Sequence, residues 1–419
     1  MGVNEMAALN GRKIPKSDKV FGINTMANEM AKEKGRDAVV NATIGALTDD
    51  SGNLIVLSSV DRVFRGLEPK EYAQYAPIGG TSEFKAAAVK AAFGSFTANR
   101  SVRVVATMGG TGGIKNTVSN YSSPGESILT TDWCWGPYSQ ICSEIGRGLE
   151  TFPLFTDDGK FNTKAFSMKV ADIIDRQNRL VIILNTPAHN PTGYSMTNAD
   201  WESVRVCLDE ISPDKRIALL IDAAYIDFAG DEDEVRAFLP IVDAMPENVL
   251  PIVAYSMSKT FTLYGMRCGA MICMAPNDEI ADEFQRCCEF SCRASWSNPV
   301  RAAQSIIAKI FADPDLYDAV VAERAGIRDM LIRRGRAFDQ AAKDCGLVTV
   351  PFSAGFFCSI PHGDPDGLAA KLREEGIFLI PLAKGVRVSV ASISEDVCRI
   401  LPARIKAAID ALDRHAEGC

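Results

Sequence analysis

The chain has 419 residues, with 45 Lys and Arg against 53 Asp and Glu, which gives a formal net charge of −8. Forty-seven per cent of the residues are hydrophobic and 23 per cent are charged, an ordinary composition for a globular protein that builds its own core. The acidic balance argues against nucleic acid or a membrane surface as the partner, because both favour a basic face.

The twelve cysteines and three histidines form neither a metal-binding nor a disulfide pattern. No C-x-x-C pair occurs and the histidines are far apart in the chain, so we expect no metal site. The amino-terminal stretch lacks the apolar segment of a secretory signal, and the longest apolar runs fall well short of the ~20 residues of a membrane span. These features predict a reduced, cytoplasmic protein.

Short apolar runs alternate with amphipathic helical patterns through the middle of the chain. Such runs predict strands buried on both faces, as in a parallel sheet covered by helices. Helical patterns at 197–211 and 278–288 lie between them, which predicts an α/β architecture. The predicted strands are Val102–Thr107, Leu180–Leu184, Ile217–Ile221, Val249–Ala254 and Ala270–Met274.

The last third of the chain has a different pattern. Long helical patterns at 298–311 and 316–344 come first, and a helix over 395–415 closes the chain. Short strand-like pieces at 348–350, 355–359, 377–381 and 386–390 lie between them, which predicts a smaller α+β domain. We therefore expect an amino-terminal arm with part of the small domain over residues 1–55, a large domain over 56–300 and a small carboxy-terminal domain over 301–419.

The residues that follow the predicted strands carry the chemistry, because ligands of open parallel sheets bind outside the carboxyl ends of the strands. They supply backbone N–H groups, an amide, a carboxylate, a phenol, a lysine and an arginine. This set suits an anionic, phosphorylated heteroaromatic ligand, to which the lysine can form an imine. The segments are Gly109–Gly113, His189–Gly193, Asp222–Tyr225 and Ser256–Lys259, with Arg267 shortly after the last.

The glycine run has a second interpretation. A strand, GGTGG, a helix, a strand and Asp132 in that order resemble a dinucleotide-binding unit, in which an acidic residue contacts the ribose. Lys115 stands where the third glycine of that pattern is expected. An NAD-dependent dehydrogenase is therefore an alternative with an incomplete motif.

The same segments resemble the class I pyridoxal-phosphate-dependent aminotransferases, specifically the aspartate/aromatic branch. The resemblance spans about residues 41–393 and rests on AHNPTG at 188–193, D-x-x-Y at 222–225, and S-x-S-K followed by R-x-G at 256–269. It implies the fold type I architecture of these transferases, in which a large domain with a mostly parallel sheet between helices joins a smaller α+β domain. It also implies pyridoxal 5'-phosphate as cofactor, an amino acid and a 2-oxo acid as substrates, a ping-pong mechanism and a homodimer with shared active sites.

Individual roles follow from the resemblance. Lys259 forms the covalent link to the cofactor and later moves the proton, Asp222 pairs with the ring nitrogen, and Arg387 holds the substrate α-carboxylate. The other implied contacts are Asn190 and Tyr225 with the ring hydroxyl, Trp135 on the ring face, Gly45 and Asn190 beside the α-carboxylate, and Gly110, Thr111, Ser256, Ser258 and Arg267 around the phosphate, with Tyr75 from a second subunit.

The substrate stays open at this level. Arg293 matches the side-chain carboxylate clamp of the aspartate branch, which favours aspartate or glutamate with 2-oxoglutarate as acceptor. Tyr138 stands where that branch has a histidine, three residues after the stacking tryptophan, so aromatic donors remain possible. Lyases and decarboxylases on the same fold, and a non-catalytic regulator, are further alternatives.

Overall fold

The computed structural model describes residues 6, 12, 14, 15 and 18–417, so the predicted amino-terminal arm is described in part and Cys419 lies outside the described residues. The helices are α1 (Lys19–Lys34), α2 (Ser58–Arg65), α3 (Pro69–Ala73), α4 (Ser82–Phe93), α5 (Gly109–Tyr121), α6 (Pro137–Glu144), α7 (Thr163–Arg176), α8 (Asn198–Asp209), α9 (Leu239–Asp243), α10 (Met257–Thr260), α11 (Asp278–Ser295), α12 (Arg301–Ala312), α13 (Pro314–Asp344), α14 (Pro365–Glu374) and α15 (Glu395–Glu417). The strands are β1 (Val40–Asn41), β2 (Ser101–Met108), β3 (Ser127–Thr131), β4 (Gly148–Phe152), β5 (Arg179–Asn185), β6 (Arg216–Asp222), β7 (Val249–Ser256), β8 (Cys268–Ala275), β9 (Phe357–Pro361), β10 (Ile377–Phe378), β11 (Ile380–Pro381) and β12 (Gly385–Ser389).

A seven-stranded sheet in the order β2-β8-β7-β6-β5-β3-β4 forms the centre of the molecule. Strand β8 runs antiparallel to both of its neighbours, and the other pairs β7-β6, β6-β5, β5-β3 and β3-β4 are parallel. The mostly parallel sheet expected from the sequence is therefore confirmed. Ser, Thr and Glu interrupt the apolar residues of β3 and β4, so neither is among the strands predicted from apolar runs. The strand expected before Asp132 in the dinucleotide-binding interpretation corresponds to β3.

Both faces of this sheet are covered by helices. Successive side chains of a strand point to opposite faces, and in β5 Leu180, Ile182 and Leu184 join one core while Val181 and Ile183 join the other. Helices α4, α7, α8, α12 and the first half of α13 cover the first face, and α5, α6 and α11 cover the second. Burial on both faces explains why these strands read as continuous apolar runs.

A smaller part contains the antiparallel sheet β11-β12-β9 and the helices α14 and α15. Its core takes residues from the amino-terminal region, because β1 pairs with β10 in parallel and Ala42 is buried there. The predicted strand at 348–350 is wrong: no strand forms there, and Val348 is 69% exposed. The domain boundaries near residues 55 and 300 remain predictions.

Helix α13 belongs to both hydrophobic cores. Val320, Ile327 and Leu331 pack in the core of the large sheet, whereas Ala337, Phe338 and Ala342 pack in the core of the smaller part. Among the described residues, no helix is both long and apolar enough to span a lipid bilayer.

Candidate active site

The site lies at one edge of the large sheet, where the carboxyl ends of its parallel strands meet. Asn185 ends β5, Asp222 ends β6 and Ser256 ends β7. Because β8 runs in the opposite direction, Arg267 reaches the same edge from the residue before its strand. The chain reversal between β7 and β8 therefore places Lys259 and Arg267 side by side.

The amino-terminal end of α5 forms an anion cradle together with Arg267. Gly109 has a φ of +67°, and a Cβ atom there would lie 2.6 Å from Arg267 Nη2, so both the backbone conformation and the space favour glycine. Arg267 donates to Ser258 Oγ at 3.2 Å, and the Ser258 N–H donates to Ser256 Oγ at 3.3 Å. Unpaired N–H groups and the helix dipole favour a phosphate at such a helix end.

Lys259 lines the inner cavity together with Arg267. Its Nζ lies 5.4 Å from the centre of the Tyr225 ring. Burial lowers the pKa of Lys259 to about 8, with Arg267 and Arg387 acting in the same direction and the charge of Asp222 opposing them. A lysine with this pKa is partly neutral near pH 7 to 8, so it can serve as a nucleophile and a proton carrier.

The carboxylate of Asp222 is buried, and its two oxygens differ in their hydrogen bonding. Its Oδ2 accepts a hydrogen bond from Tyr138 Oη at 2.6 Å, whereas Oδ1 is buried without a hydrogen-bond partner among the described residues. Burial raises the pKa of this carboxyl, and the Tyr138 hydrogen bond and the charge of Lys259 oppose that effect. A cation at Oδ1 would stabilise the charged form.

Asn190 joins the two halves of the site. Its Nδ2 donates to Tyr225 Oη at 3.4 Å, and its Oδ1 accepts from Arg387 Nη1 at 3.0 Å. Arg387, on β12 of the smaller part, also donates to the Thr43 carbonyl at 2.7 Å. Its guanidinium lies 4.3 Å from the centre of the Phe357 ring, and burial lowers its pKa to about 10, so it remains a cation at neutral pH.

An outer cavity of about 560 Å³ continues from this centre. Gly45 and Arg387 line it, and a Cβ atom on Gly45 would lie 2.6 Å from Phe357 Cζ, so the small residue leaves room for that ring. Apolar side chains from α1, from the loop after β1 and from the segment around β11 form much of its wall. They are Val20, Phe21, Ile44, Ile380, Pro381 and Leu382.

Most of the predicted site residues come together in these two connected cavities. Ser258 lies behind the cradle through its bond to Arg267. Asn185 was missed, although it directly follows a predicted strand: it donates to the Asp222 carbonyl and accepts from the Asn190 N–H. The predicted residues that line the inner cavity are Gly110, Thr111, Trp135, Asn190, Asp222, Tyr225, Ser256, Lys259 and Arg267.

Tyr75 and Arg293 lie away from the cavities of their own chain. Tyr75 is 88% exposed, and Arg293 is exposed at the end of α11, where it donates to Ser297 Oγ at 2.6 Å. Their segments adjoin, because Asn298 donates to the Ala76 carbonyl and Arg301 to the Tyr75 carbonyl. Both predicted residues therefore lie on one exposed surface.

Asp132, His189 and the described cysteines, the other residues considered in the sequence, do not line the inner cavity. Asp132, the residue that a dinucleotide site needs, instead accepts hydrogen bonds from Lys384 and from the backbone N–H of Leu154. Burial lowers the pKa of His189 to about 3, and its Nδ1 lies 2.8 Å from Thr192 Oγ1, so this histidine is neutral and held in place. The described cysteines are free thiols, and no cluster of metal-binding side chains occurs within the described residues.

The donor set fits a phosphorylated pyridine cofactor. The orphaned Asp222 Oδ1 can receive a protonated ring nitrogen, and the α5 end with Arg267 can receive the phosphate. Asn190 and Tyr225 offer polar atoms between these two points, and Lys259 offers an amine. The buried Arg387 can bind a carboxylate in a planar, bidentate manner.

Comparisons with known proteins agree with this geometry. A family model described as aminotransferase class I and II matches residues 37–405. The mitochondrial aspartate aminotransferase of Xenopus tropicalis is 25% identical over 90% of this chain and 87% of its own length, and the aromatic-amino-acid aminotransferase of Escherichia coli K12 is 26% identical over 73% and 76%. An aminotransferase structure from Anaerococcus prevotii has a TM-score of 0.93 at 35% identity, covering 96% of this chain and 98% of that one.

A second structure extends the comparison of the fold. The aromatic-amino-acid aminotransferase of Burkholderia pseudomallei, covalently bound to pyridoxal phosphate, has a TM-score of 0.79 at 22% identity, over 96% of this chain and 100% of that one.

The fold is the type I fold of pyridoxal-phosphate-dependent transferases. The chain belongs to the class I and II aminotransferase family. It is a transaminase whose cofactor is pyridoxal phosphate, and this assignment replaces the dehydrogenase, lyase and regulator alternatives.

Proposed function

We propose that the protein moves the amino group of an aromatic or acidic L-amino acid to a 2-oxo acid such as 2-oxoglutarate, in a ping-pong reaction in the cytoplasm. The observation that carries the proposal is the convergence of Lys259, Asp222 and Arg387 on connected cavities. These residues supply a proton carrier, a counter-ion for a ring nitrogen and a carboxylate clamp.

The bound cofactor supplies an electron sink that makes the substrate Cα–H acidic. In our proposal the amine of Lys259 would hold the cofactor at rest until the substrate amine displaces it, and the freed Nζ would then take the Cα proton and deliver it back on the cofactor side. Arg387 orients the substrate through its α-carboxylate, beside the backbone of Gly45. Asp222 would keep the ring nitrogen protonated, Asn190 and Tyr225 would bind the ring hydroxyl, and Trp135 would cover one ring face. Gly110, Thr111, Ser256 and Arg267 would hold the phosphate, and Ser258, predicted as a phosphate contact, would support Arg267 through its hydrogen bond.

The outer cavity supports aromatic and other large neutral side chains. Its wall is largely apolar, and two cations that line it already have carboxylate partners: Lys19 pairs with Asp366 at 2.8 Å and Lys384 pairs with Asp132. An acidic substrate therefore needs a further cation for its second carboxylate. Arg293 of a second subunit is our candidate, and the same clamp would serve 2-oxoglutarate.

The exposed surface that carries Tyr75 and Arg293 supports a homodimer with shared active sites. In this arrangement Tyr75 of one subunit reaches the phosphate of the other. Light scattering of the purified holoenzyme is expected to give twice the chain mass of 45.3 kDa. A monomer with full activity would contradict the shared site.

The Lys259→Ala variant tests the assignment of the proton carrier. We expect it to lose the visible absorbance of covalently held cofactor and about 1,000-fold or more of its turnover, because the covalent link and the general base are removed together. The surface variant Lys371→Ala serves as a matched control. Wild-type transamination by the Lys259→Ala variant would refute the proposal.

The Arg293→Ala variant tests substrate choice. We expect kcat/KM for aspartate and 2-oxoglutarate to fall about 10- to 100-fold, because a charge-assisted hydrogen-bond pair is lost. The half-reaction with phenylalanine should be unchanged, since it uses the apolar wall and Arg387. Equal losses for aspartate, glutamate, phenylalanine and alanine would show that Arg293 is not a side-chain clamp.

A further inference from the structure

Tyr138 is fully buried and contacts two residues of the inner cavity, Asp222 and Trp135. It lies in the first turn of α6, just after Pro137, and its backbone N–H donates to the Trp135 carbonyl at 3.0 Å. Its ring meets the Trp135 ring edge-on, with 5.5 Å between the centroids. Tyr138 therefore contacts both the predicted stacking residue and, through its hydroxyl, Asp222.

The hydrogen bond to Asp222 has a defined direction. Burial, followed by the charge of Asp222, raises the pKa of the Tyr138 phenol well above its ordinary value, so the phenol keeps its proton and donates it. A charge-assisted hydrogen bond of 2.6 Å to one oxygen restrains the orientation of the carboxylate. The remaining oxygen, Oδ1, is the one without a partner among the described residues, and Asp222 lines the inner cavity.

We propose that Tyr138 is a positioning residue for the cofactor: it holds Asp222 by Oδ2 so that Oδ1 stays available to the ring nitrogen. This inference rests on the proposed role of Asp222. It gives a function to the residue at which the chain departs from the aspartate branch. The hydrogen-bond donor to Asp222 is here the hydroxyl of Tyr138, a side chain that carries no charge of its own.

The Tyr138→Phe holoenzyme tests this inference, because it keeps the ring and removes the donor. We expect kcat to fall about 10- to 100-fold with little change in KM, as for a lost hydrogen bond to a charged group. The dissociation constant of the cofactor should rise by a similar factor. With cofactor labelled at the ring nitrogen, the ¹⁵N resonance should move from the protonated towards the neutral position.

The Tyr138→His variant is the rescue control, since an imidazole N–H can donate to the same oxygen. It should restore the ¹⁵N position and most of kcat. A Tyr138→Phe variant with wild-type ¹⁵N position and kcat would overturn the inference. If that variant fails to fold, the histidine variant decides alone: a neutral ring nitrogen in a folded Tyr138→His protein would overturn the inference, and a protonated one would support it.

The Asp222→Ala variant separates this inference from the proposed function. If it leaves the ¹⁵N resonance of the cofactor unchanged, the role proposed for Asp222 is wrong. If it shifts the resonance and Tyr138→Phe does not, only the positioning role of Tyr138 is wrong.

Discussion

Burial lowers the pKa of the Lys259 amine to about 8, and the charges of Arg267 and Arg387 add to that effect while Asp222 opposes it. Its ordinary pKa in an unfolded chain is about 10.4. The shift is downward, so the apoprotein holds a neutral amine over a pH range in which a free lysine is still protonated. Only the neutral amine attacks a carbonyl.

We therefore predict that the apoprotein captures pyridoxal phosphate faster as the pH rises from 6.5 to 9, with a midpoint near 8. Stopped-flow absorbance measures the rate. The Lys259→Ala variant should show no covalent phase at any pH. A rate that is constant over this range would mean that the Lys259 amine is not the titrating group.

The residues that follow strands could be predicted from the sequence, because strand ends are visible in it and parallel strands share an edge. Asn185 obeys the same rule, since it directly follows a predicted strand, whereas Tyr138 shows what is not visible. Tyr138 touches Asp222 across 84 residues of sequence, and no local pattern encodes that contact. Likewise, only the folded chain shows that Tyr75 and Arg293 are exposed and lie away from the cavities of their own subunit.

At the scale of elements, the buried carboxylate of Asp227 links the turn after β6 to the turn that carries Lys259. Asp227 follows Tyr225 in a short 3-10 helix and bonds to Arg236 at 2.6 Å, with Arg324 at 3.9 Å. Its other oxygen accepts from Tyr255 and from Thr260, the residue after Lys259. Burial opposes ionisation, but the charges of Arg324 and Arg236 lower the pKa of Asp227, so the group stays charged.

The Asp227→Asn variant should lose about 3–5 kcal/mol of unfolding free energy, because it leaves two buried guanidinium groups without their anion. Urea denaturation of the apoprotein measures the loss. Asp61→Asn, which breaks the exposed i,i+4 pair with Arg65, is the control and should hardly move the midpoint. Equal small effects for both variants would show that the buried cluster is not a stabilising centre.

The elements differ in how well the sequence predicts them. The strands buried on both faces were recognised from their apolar runs, whereas the direction of β8 was not, because an apolar run carries no information on direction. The piece at 348–350 has strand-like residues, but Val348 faces solvent. The Val350 N–H donates to the Ser359 carbonyl at 3.0 Å, yet this contact does not extend into a strand, so local propensity alone is not sufficient there.

At the scale of the whole molecule, the proposed site draws Lys259 and Arg387 from one subunit and Arg293 from the other. Two variant chains, each defective at a different one of these residues, should therefore complement each other in a mixed dimer. In a mixed dimer of the Lys259→Ala and Arg293→Ala chains, one of the two sites contains both wild-type groups, and the other site lacks both.

We predict that co-expression of these two chains restores aspartate transamination to about half of the wild-type rate per mixed dimer. Two affinity tags isolate the mixed species. A Lys259→Ala chain mixed with an Arg387→Ala chain is the control, because those two residues belong to the same subunit's site and no intact site forms. Recovery in both mixtures, or in neither, would contradict the shared arrangement.

The end of the sheet away from the site is where the fold can accept new sequence. The connections there are mainly short, such as the one between α8 and β6. In that connection Ser212, Pro213 and Asp214 are exposed, and the seven residues of β6 separate it from Asp222 by about 23 Å. Insertions or fused domains at this turn are therefore compatible with an undisturbed catalytic edge.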